Sequence, residues 1–203
     1  MKLILASASP RRSELLAQIG VRFNVQAVDI DETPLPQEEA SSYVLRMARE
    51  KVSACVALQQ DDSSFSVLGA DTSVIVDGEI LGKPADFTEA KTMLLKLSGR
   101  VHQVMTSVCL VTCHSGINSG EPEINTQLVV TDVTFKSLSE DQIKAYWQSG
   151  EPQDKAGSYG IQGFGAVFVE RISGSYSAVV GLPLAEVAEM LSLADVMVWD
   201  RQG

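Results

Sequence analysis

Basic residues are in short supply: 16 lysines and arginines stand against 26 aspartates and glutamates, and the formal net charge is −10. A field of that sign repels polyanions, which argues against nonspecific nucleic-acid binding and attachment to anionic membranes. An anionic ligand would need its cations gathered locally, or a metal ion to help. Long apolar runs are also missing. The opening apolar stretch falls short of the roughly 7–15 residues of a signal peptide's central region, and nothing approaches the ~20 of a membrane span. The expectation is a soluble, cytoplasmic protein with neither nucleic acid nor membrane as partner. Cysteine is sparse, with Cys55, Cys109 and Cys113 alone. An odd number in an unsecreted chain argues against a disulfide framework. Cys109, Cys113 and His114 are close in sequence, but on a strand over 101–113 the two thiols stand roughly 13 Å apart at about 3.3 Å per residue. One tetrahedral zinc cannot bridge that gap, so packed thiols are expected.

Several familiar signatures are lacking too. There is no internal repeat and no G-x-S-x-G elbow. Gly78 to Lys83 is not a Walker loop: three residues separate its glycines, and Pro84 stands where Ser or Thr is required. Gly160, Gly163 and Gly165 are followed by a predicted strand, where a dinucleotide fingerprint needs a helix. No Ser-His-Asp set and no cysteine with a basic neighbour suggests a covalent intermediate.

The chain of 203 residues is long enough for one substantial domain or one domain with two lobes. Strand and helix patterns alternate, which predicts an α/β fold. Strands are expected over 3–7, 23–30, 66–70, 73–76, 79–81, 101–113, 125–136, 166–172 and 175–180. Helices are expected over 10–19, closed by Gly20, and over 37–59. Others run from Asp86 to Gly99, over 140–149 behind a Ser139/Gln142 capping box, and over 184–194 behind Pro183. Asp77-Gly78 marks a hairpin turn, and 114–124 and the glycine-rich 157–165 are expected as loops.

The first helix breaks a local rule. Ser9 suits an N-cap and Pro10 the first helical position, but Arg11 and Arg12 add two cations to an already positive helix end. Such placement is unfavourable by roughly 0.3–1 kcal/mol each when exposed. An anion, phosphate above all, would reverse the sign, because free backbone N–H groups, the helix dipole and two guanidinium forks would converge on it. Otherwise both arginines reach solvent, or Arg12 pairs with a carboxylate elsewhere. Asp71, at a predicted strand end, stands where α/β folds often carry catalysis, though a turn or cap residue would look the same. Asp29, Asp31 and Glu32 form an acidic cluster, which a solvated loop would also explain. Polyphosphate hydrolysis needs charge screening, a positioned water and a proton acceptor. A divalent cation held by one or two carboxylates supplies the first two, and Glu32 and Asp71 are the metal candidates if folding brings them together.

The run Ala6-Ser7-Ala8-Ser9-Pro10-Arg11-Arg12-Ser13-Glu14-Leu15-Leu16 resembles the opening of the Maf family of nucleotide pyrophosphatases. The resemblance continues in order through Arg49-Glu50-Lys51, Gly69-Ala70-Asp71-Thr72, Gly82-Lys83-Pro84, Leu97-Ser98-Gly99 and His102-Gln103-Val104. It closes with Asp154-Lys155-Ala156-Gly157, Tyr159-Gly160-Ile161-Gln162-Gly163, Gly174-Ser175-Tyr176 and Val180-Gly181-Leu182-Pro183. It implies a single domain over 1–203 with an elongated, mixed, Maf/ITPase-like sheet flanked by helices, two lobes and a central cleft, commonly as a homodimer. It also implies a divalent cation, Mg²⁺ or Mn²⁺, and a nucleoside triphosphate cut to monophosphate and pyrophosphate. On this resemblance Asp71 is the proton acceptor, with Lys51, Lys83 and Glu32 in the catalytic set and Ser7, Ser9, Arg11 and Arg12 binding substrate. Arg11 after Pro10, Thr72 after Asp71 and Gln162 in the Tyr159–Gly163 loop resemble the dTTP/UTP group, where those three positions are associated with specificity. The group acting on 7-methyl-GTP resembles instead Pro-Trp-Arg, a Gln after the Asp and a Ser-Glu type loop. The competing expectations are a pyrophosphatase of that second kind, or of methylated or deaminated purines, and a nucleotide-binding regulator of cell division without catalysis. The regulator would not need the carboxylates.

Overall fold

The computed structural model describes residues 1–60, 63–115 and 120–199. Part of the loop expected over 114–124 lies outside them. The chain forms a mixed α/β fold built on a seven-stranded sheet with strand order β2-β1-β3-β5-β6-β7, β4 pairing with β3. The strands are β1 (Lys2–Leu5), β2 (Asn24–Val25), β3 (Phe65–Val76), β4 (Glu79–Leu81), β5 (Val101–Cys113), β6 (Glu123–Phe135) and β7 (Val169–Ser173). The helices are α1 (Pro10–Gln18), α2 (Ala40–Ala57), α3 (Phe87–Leu97), α4 (Glu140–Gln148), α5 (Tyr176–Val180) and α6 (Leu184–Leu193). β1 runs parallel to β2 and β3, whereas β3–β4 and β6–β7 are antiparallel.

Two compact units divide the chain. Unit 1 comprises 1–71, 106–128 and 181–203, and unit 2 comprises 72–105 and 129–180. The core of unit 1 joins Ile4, Ala48, Val52, Cys55, Val67, Cys109 and Val111. All three cysteines are free; Cys55 and Cys109 are buried and Cys113 is partly so. Burial pushes their thiols up, as packed thiols require. Unit 2 packs Leu94, Leu97, Val133, Ile143 and Tyr146 around an aromatic group of Phe135, Tyr159 and Phe168.

Five expectations need correction. Residues 66–70 and 73–76 are one strand, and Asp71 lies in its interior instead of at its end. A buried strand can carry a carboxylate there because the charge is paired, as described below. Pairing of β2 stops at Val25, because its partner β1 ends at Leu5. Residues 175–180 contain a short helix, not a strand. The Ser175 side chain accepts the Ala178 N–H at 3.2 Å, and this local cap outcompetes the strand preference of Val179 and Val180. The expected strand start at 166 is a 3₁₀ turn over Phe164–Phe168. The helix expected over 37–59 is shorter, Ala40–Ala57. The predicted capping box forms: Ser139 accepts the Gln142 N–H and the Gln142 side chain accepts back from the Ser139 N–H.

Candidate functional site

The residues predicted to carry chemistry in unit 1 gather where β1 ends and α1 begins. β1 and β3 run in register with Leu5 opposite Leu68, and the Ala6 N–H donates to the Leu68 carbonyl. That parallel register carries the segment after β1 alongside Asp71. The segment then turns into α1, with Ser9 at the N-cap position but making no side-chain capping bond. Ser7 is buried and its hydroxyl accepts both the Ser9 N–H at 3.2 Å and Arg12 Nη1 at 3.3 Å. Arg12 Nε donates to the Gly181 carbonyl at 2.9 Å. Arg12 therefore does not point into bulk water. Burial lowers its pKa, and the negative charges of Asp71 and Glu32 oppose that shift. A guanidinium keeps its charge at neutral pH regardless. Arg11 adds a repulsive positive field.

α2 supplies the central cation. Tyr43, Met47 and Lys51 follow at four-residue spacing and so share one helix face. The helix reaches the strand closely because Gly69 has no Cβ: one built there would lie 2.6 Å from a Val52 methyl and 3.1 Å from the Ala48 carbonyl. Lys51 Nζ meets Asp71 Oδ1 at 2.8 Å and Glu32 Oε1 at 2.7 Å. The two arms differ: the Lys51 and Asp71 side chains are 12% and 10% exposed, whereas Glu32 is 50% exposed. The Asp71 arm lies in a poorly screened environment and the Glu32 arm in a wet one.

Glu32 comes from an otherwise exposed segment that α2 pins down. The Tyr43 hydroxyl donates to the Glu32 carbonyl at 2.9 Å. Arg46 grips Glu38 with a two-pronged contact at 2.7 Å each and reaches the Thr33 carbonyl at 3.2 Å. That contact holds the Glu38 carboxyl down at about 2. Burial raises the Tyr43 phenol to about 12, aided by the Asp71 and Glu32 charges. Tyr43 was legible only as an apolar helix position, and Gly181 only as part of a motif. Neither offered a sign of the hydrogen bond it makes.

Unit 1 thus places Arg11, Arg12 and Lys51 in one electrostatic neighbourhood with Glu32 and Asp71. Three cations face two carboxylates, a local positive excess in a chain whose net charge is −10. No group of three His, Cys, Asp or Glu suited to a metal occurs among the described residues. The donor chemistry is that of a hard cation that takes one or two carboxylates and completes its shell with water and phosphate oxygens.

Three predicted residues belong to unit 2. Thr72 follows Asp71 along β3 and projects to the opposite face of the strand. Lys83 is exposed on the segment after β4, where the Gly157 N–H donates to the Gly82 carbonyl at 3.0 Å. Gln162 is exposed in the loop leading to the 3₁₀ turn. His102 is buried, with Nε2 2.9 Å from the Tyr159 hydroxyl. Burial lowers it to about 4, so it stays neutral and packs edge-on to Phe135 and Tyr159.

Known proteins resemble the chain from end to end. A Photobacterium profundum protein named dTTP/UTP pyrophosphatase is 55% identical over 195 residues, 94% of this chain and 95% of that one. Proteins of the same name from Hahella chejuensis and Colwellia psychrerythraea are 48% and 53% identical, covering 98% and 95% of this chain and 94% and 88% of theirs. A solved Mycobacterium abscessus structure described as a nucleoside-triphosphatase / dITP/XTP pyrophosphatase matches 97% of this chain and 99% of its own, at 18% identity and a TM-score of 0.40. The family described as Maf-like protein matches residues 2–194, and the chain belongs to that family.

Proposed function

We propose that this protein is a nucleoside-triphosphate pyrophosphatase that hydrolyses dTTP and UTP to the monophosphate and pyrophosphate. The observation that carries the reading is Lys51 held between Asp71 and Glu32 beside the Arg12 guanidinium. A binder of phosphate alone has no use for the carboxylates. The identity to relatives named dTTP/UTP pyrophosphatase supports the choice of nucleotide.

On this reading the triphosphate docks at the start of α1. Ser7, Ser9 and backbone N–H groups hold phosphate oxygens, and Arg11 and Arg12 balance their charge. Glu32 and Asp71 would hold a divalent Mg²⁺ or Mn²⁺, whose chemistry there is to screen the phosphates and orient water. Asp71 takes the proton of the attacking water as its oxygen bonds to the α-phosphorus. The bond from that phosphorus to the bridging oxygen breaks, and pyrophosphate leaves with the electron pair. Lys51 hands its hydrogen bond from Asp71 to a phosphate oxygen as charge builds there. Lys83 is assigned to the phosphates, and Thr72 and Gln162 to the pyrimidine, by the family resemblance. A Gln amide can both donate and accept, as the O4 and N3–H edge requires. A cytoplasmic homodimer belongs to the same reading; no helix among the described residues is long and apolar enough to cross a membrane.

The test is pyrophosphate release from a panel of dTTP, UTP, dCTP, dGTP and 7-methyl-GTP with Mg²⁺ or Mn²⁺. The expected result is kcat/KM for dTTP and UTP at least about tenfold above the others. Turnover of 7-methyl-GTP alone would overturn the base assignment, and inertness toward every nucleotide would overturn the reading.

A further inference from the structure

The loop that carries Gln162 is tied down by a carboxylate outside every motif discussed above. Glu151 sits in the 3₁₀ turn after α4, and its side chain is half-buried. Its two oxygens accept three hydrogen bonds. The Phe164 N–H reaches Oε2 at 2.7 Å, and the Gly165 N–H and the Tyr146 hydroxyl reach Oε1 at 3.0 and 2.7 Å. The Tyr146 oxygen in turn accepts the Gly160 N–H at 3.0 Å. One carboxylate and one phenol therefore hold backbone groups on both sides of Gln162, at 160, 164 and 165. Both belong to unit 2, as does the loop.

The loop has been shaped to this arrangement. A Cβ at Gly163 would fall on the Glu151 carboxylate itself, so a side chain there would displace that carboxylate. Burial pushes the Glu151 pKa up, but the donors at Gly165, Tyr146 and Phe164 outweigh it, and the net direction is down. Burial and the facing carboxylate raise the Tyr146 phenol. Lys155 also faces this group: its Nζ donates to the Glu151 carbonyl at 2.8 Å and to Asp154 at 2.7 Å. An ionised carboxylate accepting backbone N–H groups makes bonds stronger than neutral pairs, and residues 159–163, just before the 3₁₀ turn, have no helix or strand to hold them.

We propose that Glu151 is a positioning residue for nucleobase selection: through Phe164, Gly165 and Tyr146 it holds the 160–165 loop so that Gln162 is presented in one geometry. The proposal rests on the assignment of Gln162 to the pyrimidine. Glu151 touches no reacting atom, so its loss should act on substrate binding and discrimination, not on the chemical step.

The experiment pairs a ligand-free readout with a kinetic one, on Glu151→Gln and Tyr146→Phe in the full chain. A glutamine side chain turns one accepting oxygen into a donor, which then faces an N–H it cannot bond. Amide hydrogen exchange without nucleotide should rise about tenfold or more at Gly160, Phe164 and Gly165 in Glu151→Gln, with α4 unchanged. A hydrogen bond to a charged group is worth that much. In Tyr146→Phe the rise should centre on Gly160, which keeps the test available if the first variant folds poorly. With dTTP, Glu151→Gln should raise KM about tenfold and lower the preference for dTTP over dCTP by a similar factor, with kcat within about threefold. Gln162→Ala should lose the same discrimination without loosening the loop. Wild-type exchange rates in both variants would overturn the tether. A loosened loop with unaltered KM and selectivity would overturn its role in base selection. Failure of the wild type to hydrolyse any nucleotide would remove the pyrophosphatase reading instead, while the exchange data still judged the tether.

Discussion

Units 1 and 2 spend their buried polar groups differently. Unit 1 gathers an ionic group: Lys51 joins Asp71 to Glu32, and Arg12 lies in the field of both carboxylates. Removing Lys51 leaves both carboxylates without that partner. In unit 2 the buried titratable groups His102, Tyr146 and Tyr159 are kept neutral by burial, and one carboxylate, Glu151, is satisfied by local donors. Opposite charges held close together, with cations in excess, make sense where an anionic ligand is to rearrange them. Neutral aromatic packing and locally satisfied hydrogen bonds make sense where a surface must be held in place. On the proposed function, the ionic group of unit 1 suits phosphate binding and the Glu151 network of unit 2 suits loop presentation.

Breaking the ionic side should show its asymmetry. Lys51→Met strands Asp71, which is 10% exposed, and should cost about 3 kcal/mol of unfolding free energy. Glu32→Gln removes an arm whose carboxylate is 50% exposed and should cost less than about 1 kcal/mol. Urea unfolding of the two variants checks this, and equal costs would contradict the distinction between a dry arm and a wet one.

The neutral side should show itself in pH dependence. The folded His102 titrates at about 4 against an ordinary 6.5. Because the folded value is the lower one, the unfolded chain takes up the proton first as pH falls. Stability from this group is complete above about pH 6.5 and falls progressively toward pH 4. The loss between pH 7 and pH 5 should be about 2 kcal/mol. His102→Leu should remove that portion of the slope, leaving only the carboxylate contributions. Identical slopes in the two proteins would show that His102 is not held neutral.

How much of this was legible beforehand differs by residue. Arg11 and Arg12 were conspicuous because they oppose a helix dipole, a rule that acts within one turn and is visible in sequence. Asp71 was noticed for a wrong reason, a strand end that does not exist; the strand continues because Lys51 balances the charge. That balance depends on α2 approaching β3 at Gly69, a tertiary fact with no local signature. Residues 175–180 were misread because a short segment ending in Val179-Val180 outweighed a Ser175 cap worth one hydrogen bond. Glu151 was invisible. Its partners lie 5, 13 and 14 residues away, one on α4 and two at the start of the 3₁₀ turn, and no periodicity reports such a contact. Elements governed by repeating patterns could be read, but side chains that organise loops could not.

The central claim is that Asp71 receives the proton of the water that attacks the nucleotide. Steady-state turnover and nucleotide affinity of Asp71→Asn with dTTP and Mg²⁺ test it most directly. The account predicts a fall in kcat of about 10²–10⁴ with nucleotide affinity within about threefold of wild type. Undiminished turnover in Asp71→Asn would contradict it.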